Sequence, residues 1–170
     1  MNDAQRQERT RTLGSSLPAD LGSGAAALKA NRDAPTDPHA ARLHALLEVA
    51  FLTASADDHL SEIEIDHLVS HLHAWLQNEL EPAFLVDLFG HLGKQLAAEG
   101  YQARLHAVAK QLDEPSRRVA YKLACVTALC DNEVHDDELE FLGGIADAFG
   151  IPALEAQETF DALDDALASG

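Results

Sequence analysis

Two short acidic stretches carry the side chains best suited to chemistry: Asp57-Asp58-His59-Leu60-Ser61-Glu62-Ile63-Glu64 and Asp131-Asn132-Glu133-Val134-His135-Asp136-Asp137-Glu138. In each, an Asp precedes a Glu by seven positions. That separation is too long to bridge in extended chain, but a turn followed by a helix start folds the two carboxylates together. Carboxylates grouped with turn carbonyls are what a hard cation such as Ca²⁺ or Mg²⁺ takes. His59 and His135 stand beside the acids and suit a borderline ion, which keeps Zn²⁺ and Mn²⁺ as alternatives. An EF-hand is excluded, because twelve-residue loops from Asp57 and Asp131 would end on Leu68 and Leu142 and lack the central glycine. A second reading stays open at this point. Acids before and within a helix's first turn are stabilised by unpaired backbone N–H groups and the helix macrodipole. Ser61 and Glu64 have the spacing of a capping box. Capping does not account for Asp57 and Asp131, four residues ahead of the expected caps.

The elements that must position these acids are themselves duplicated. A shift of 74 residues brings Asp57 onto Asp131, Glu64 onto Glu138, Ala50 onto Ala124, Thr53 onto Thr127, Ala54 onto Ala128 and Leu68 onto Leu142. Conservative matches follow at Leu60/Val134, Glu62/Asp136 and Ile65/Leu139. The chain therefore reads as two copies of one helix–elbow–helix unit. Duplicated hairpins commonly pair about a pseudo-two-fold axis, so the two elbows are expected side by side.

Asp37-Pro38 opens the first helix as N-cap and first-turn proline, and Leu43, Leu46, Leu47, Ala50, Phe51 and Ala54 give it an apolar stripe at helical spacing. A second helix follows the first elbow, with Ile65, Leu68, Val69, Leu72 and Leu76 inward. Glu81-Pro82 opens a third that ends near Gly100, and a short fourth carries Tyr101, Leu105, Val108 and Leu112. Glu114-Pro115 opens the fifth. The sixth runs through Leu139, Leu142, Ala146 and Phe149 to Gly150, and Pro152 starts the seventh. No window alternates with a period of two. The expected fold is all-α, a single compact bundle of about seven helices over residues 37–170. Residues 1–36 are small, polar and turn-prone, and read as a flexible tail dispensable for folding, with a transient helix near Ala25–Ala30.

Composition narrows the partners. Residues 1–38 balance five acids with five bases, so the whole net charge of −17 falls on residues 39–170, with 24 acids against seven bases. Such a surface repels phosphate backbones, which argues against nucleic-acid binding, and attracts cations or a protein partner with a basic patch. Nothing approaches the length of a membrane span, so direct membrane insertion is not expected and a cytoplasmic protein is. The two cysteines, Cys125 and Cys130, share one expected helix at a five-residue offset and do not make a disulfide framework.

Ala54–Glu64 and Ala128–Glu138 resemble the paired acidic motif of TerB-like tellurite-resistance domains, roughly Ala-x-x-Asp-Gly-x-ϕ-x-x-x-Glu with ϕ aliphatic. The resemblance spans about residues 38–168. It implies a cytoplasmic helical domain whose two motifs form an acidic surface binding divalent metal, associated with bacterial chemical-stress responses and partner complexes. Carried over, Asp57 and Glu64 match one motif and Asp131 and Glu138 the other. Asp58, Glu62 and Asp136 add carboxylates to the candidate set. The motif glycine is replaced by Asp58 and Asn132, types that tolerate positive φ better than most.

Other signals are weaker. His67 and His71 lie four apart on one helix, but their repeat partners are Phe141 and Ile145, so packed or surface histidines are expected rather than a zinc site. A lone Glu64-x-x-His67 is half of a di-iron motif whose other half is missing. No nucleophile motif or phosphate loop appears, and no enzyme is expected. The sequence thus points to a non-enzymatic module binding divalent metal at paired acidic elbows. The alternative is a metal-free acidic adaptor whose elbow acids are helix caps.

Overall fold

A computed structural model describes residues 24–30, 37–55, 62–76, 80–130 and 136–169. Among them are eight helices: α1 (Ala25–Ala30), α2 (Pro38–Ala54), α3 (Glu62–Trp75), α4 (Pro82–Glu99), α5 (Tyr101–Gln111), α6 (Glu114–Cys130), α7 (Asp136–Ala148) and α8 (Ala153–Ser169). There is no strand among the described residues. Helices α2 to α8 are the seven expected.

Their ends follow from local chemistry. Asp37 Oδ1 accepts from the N–H groups of His39 and Ala40 at 2.9 and 3.2 Å, with proline at the first helical position. Asp113 does the same for α6 through the Ser116 N–H at 2.9 Å. Gly100 ends α4 at φ +85°, a conformation that costs a β-carbon dearly and a glycine nothing. The guanidinium of Arg117 in α6 reaches back to the Ala109 carbonyl near the end of α5, at 2.7 and 2.9 Å, and so satisfies an acceptor that the helix itself leaves open.

The core is built around α2, 12 of whose 17 residues are buried. A helix apolar nearly all round belongs in the centre. It packs most extensively on α6, and α1, α3, α4, α5 and α7 also lie against it. Phe51 of α2 stacks on Phe89 of α4, with ring centroids 5.6 Å apart.

The duplication is visible in atomic detail. Helices α3 and α7 begin at Glu62 and Asp136, positions 74 apart. In α2 the buried Thr53 hydroxyl donates to the Val49 carbonyl at 2.9 Å, and in α6 Thr127 donates to the Leu123 carbonyl at 2.8 Å; both members of each pair are repeat equivalents. Arg42 Nε donates to Ser116 Oγ at 2.9 Å, so the two equivalent helices touch at equivalent positions near their starts.

One expectation needs correction. The helix expected near Ala25–Ala30 is present with those bounds, but it is packed on α2 rather than solvated, with Leu28 fully buried. A single leucine with alanines around it gives too little periodicity to announce a core element, yet burying it is worth about 2 kcal/mol. Gly24, at φ +89°, allows the close approach. A β-carbon there would come within 2.5–2.7 Å of the His39–Ala40 backbone. Leu139, grouped with Leu142, Ala146 and Phe149 along the expected sixth helix, is 46% exposed whereas those three are buried.

Candidate metal site at the elbows

Each elbow is framed by an apolar helix that enters it and an acidic helix that leaves it. The entering helices α2 and α6 have equal lengths of 17 residues, and each carries the buried threonine in its last turn. A threonine hydroxyl bonded to the carbonyl four residues back competes with the ladder and bends the helix locally. Both approaches to the elbows therefore carry the same built-in feature. Ser55 closes α2, its N–H donating to the Phe51 carbonyl at 3.0 Å. Its hydroxyl is buried, with no hydrogen-bond partner among the described residues.

Of the candidate ligands, Asp57, Asp58 and Asp131 lie outside the described residues, as do His59 and His135. Glu62 and Glu64 occupy the first and third positions of α3, and Asp136 and Glu138 the same positions of α7. Their side chains also lie outside what is described. The expected side-by-side approach of the elbows falls on the same stretches. By type, the donor set is carboxylates and hydroxyl oxygen with a flanking imidazole, which suits a hard divalent ion before a soft one.

Elsewhere, His71 is buried and His67 half-buried on α3. The Nδ1 of His73 donates to the Leu80 carbonyl at 2.7 Å. No group of three or more His, Cys, Asp or Glu side chains able to hold a metal ion occurs among the described residues.

Charge in the interior is concentrated in one place that sequence reasoning missed. Glu48 of α2 and Arg104 of α5 pair through two bonds of 2.7 Å, with side chains 2% and 10% exposed. The Glu48 carboxylate, with Glu99 as a lesser partner at 3.4 Å, raises the guanidinium's affinity for its proton. Glu48 did carry a signal, as the one charge in the apolar run Ala45–Leu52; Arg104 carried none. The pair fixes α5 to the central helix. A second cross-helix pair, Arg118 of α6 with Glu155 of α8 at 2.6 Å, holds the Glu155 carboxyl below its ordinary range. The other residues missed line a groove between α5, α7 and α8, which only the packing of distant helices creates.

No described helix is long and apolar enough to cross a membrane. The profile of one protein family, described as Tellurite resistance protein TerB, matches residues 42–159, from the second turn of α2 to the middle of α8. No curated protein and no solved structure gives a match.

Proposed function

The chain belongs to the TerB family of tellurite-resistance proteins, and from that premise we propose that it is a non-enzymatic module that binds divalent cation at its paired acidic elbows and engages a basic protein partner, in a bacterial chemical-stress response. One observation carries the reading. The two elbows are entered by helices that match in a single hydrogen bond, that of Thr53 in α2 and of Thr127 in α6, and that join at the repeat-equivalent positions Arg42 and Ser116. That α2 and α6 touch near their starts and pack on each other supports the reading that they lead into elbows at one end of the bundle. Asp57, Glu64, Asp131 and Glu138 are the residues that would hold the ion, with Asp58, Glu62 and Asp136 near. The ion would offset their mutual repulsion, and the excess of acids over bases on residues 39–170 would recruit the partner.

One observation favours the adaptor alternative. Glu62, Glu64, Asp136 and Glu138 all fall in first turns, where carboxylates are stabilised without any metal. Calorimetric titration of the whole chain with Ca²⁺, Mg²⁺, Mn²⁺ and Zn²⁺ separates the two. Binding that is lost in Asp57→Asn and Asp131→Asn, with a metal-induced rise in Tm that shrinks in both, supports the cation site. A wild type that takes up none of the four ions, with Glu64→Ala alone destabilising it, leaves caps and an adaptor.

A further inference from the structure

A groove between α5, α7 and α8, lined by none of the candidate elbow ligands among the described residues, has a volume of about 1160 Å³. Its floor is aromatic: Tyr101 and Phe141 meet edge to face with centroids 5.5 Å apart, and Phe160 joins them from α8. Leu139 stands at the rim, 46% exposed. The two charged residues that line it, Glu140 and Asp147, are both acids and both exposed.

The wall that α7 contributes is bare backbone at Gly143 and Gly144. Apart from the helix's own backbone and the adjacent residues, no described heavy atom lies within 4 Å of the place where a β-carbon on either would sit. Two consecutive glycines inside a 13-residue helix each cost about 1 kcal/mol relative to alanine, and among the described residues no neighbour requires either of them. Their effect is to open the groove, because the side chains at a contact set how closely two helix axes approach.

We propose that this groove is the docking site for a cationic amphipathic helix of a partner protein, two to three turns long. A helix about 10 Å across fills roughly 400 Å³ per turn, which sets that length. Its apolar residues, spaced three and four apart, enter over Phe141 and Phe160, and its Lys or Arg residues meet Glu140 and Asp147. Charge selects this occupant over a second copy of the chain, whose own residues 39–170 carry 24 acids against seven bases and would be repelled. The inference rests on the partner half of the proposed function and is independent of the cation half.

The test is a titration of the ¹⁵N-labelled full chain with a synthetic 14-residue Leu/Lys peptide that has one apolar helical face, beside a scrambled peptide of the same composition. The expected result is that the amphipathic peptide shifts the amides of Leu139, Gly143, Gly144 and Gln157 and binds at least tenfold tighter than the scrambled one. Gly144→Leu, which fills the groove while favouring the helix, should weaken binding at least tenfold, and Glu140→Lys/Asp147→Lys should do so independently. Equal affinity for the scrambled peptide, wild-type binding by Gly144→Leu, or shifts confined to other faces overturns the proposal. So does a dimer in sedimentation that Gly144→Leu dissociates, since the occupant is then a second copy. Calcium calorimetry on the same samples keeps the two readings apart. Peptide binding without cation binding removes the cation site and leaves the groove, and cation binding without peptide binding does the reverse.

Discussion

Replacing Arg104 with methionine strips the Glu48 carboxylate of its charge partner inside the bundle. Glu48 is 2% exposed on its side chain and loses both 2.7 Å bonds at once. An uncompensated buried charge of this kind costs about 3–5 kcal/mol. The reverse change, Glu48→Met, is milder. Arg104 is 10% exposed and keeps Glu99 at 3.4 Å, itself 45% exposed, so the loss should be nearer 2 kcal/mol, the worth of a charge-assisted hydrogen bond. The double variant replaces the pair with apolar groups of similar length and removes both desolvation penalties. It should lie within about 1 kcal/mol of wild type or above it. The expected order of stability is therefore Arg104→Met lowest, Glu48→Met next, and the double variant highest of the three. Urea unfolding at pH 7 with linear extrapolation measures all four proteins, and an unchanged slope confirms that the native state is what was perturbed. Arg104→Met costing less than about 1 kcal/mol, or single effects that simply add to within about 0.5 kcal/mol, would refute the claim that this pair is a coupled, buried unit.

Other consequences are equally direct. Leu28→Ala should lower stability by about 2–3 kcal/mol, read from the same urea curves, because Leu28 is fully buried against α2; a silent substitution would show that α1 is not part of the folded unit. Burial pushes the Cys125 thiol up to about 12, so at pH 8 only roughly one thiol in ten thousand is thiolate. In a Cys130→Ser background, Ellman's reagent should label Cys125 in urea and not in the native protein. Asp113, held below its ordinary range by hydrogen bonds from Ser116, contributes stability that is complete above its unfolded value of about 3.9 and is lost as pH falls below it. Asp113→Asn should accordingly flatten the acid limb of a Tm-against-pH profile below about pH 4. Asp37→Ala removes the cap of the central helix and should cost about 1 kcal/mol, visible as a lower urea midpoint with unchanged slope.

The helices were legible because their signals are local. Asp37-Pro38, Glu81-Pro82 and Gly150 mark ends through backbone geometry that neighbouring residues control, and the stripes of Leu, Val and Phe repeat within a few turns. The repeat was legible too, because duplicated residues keep their spacing whatever the packing. The same shift of 74 residues relates the starts of α3 and α7, at Glu62 and Asp136. The elbow acids were named from the same arithmetic, and their chemistry is a property of residue type.

Tertiary packing decided the rest, for reasons that no window of sequence contains. Leu28 and Leu139 are the same residue type, yet one is wholly buried and the other nearly half exposed. What separates them is which neighbour arrives: α2 covers Leu28, while the space beside Leu139 stays open between α5, α7 and α8. Glu48 and Arg104 are 56 residues apart and pair only because α5 docks on the central helix. The sequence alone determined where this chain becomes helical and which carboxylates recur. Burial and pairing were settled by the docking of helices on one another, because a side chain's surroundings come from residues far along the chain.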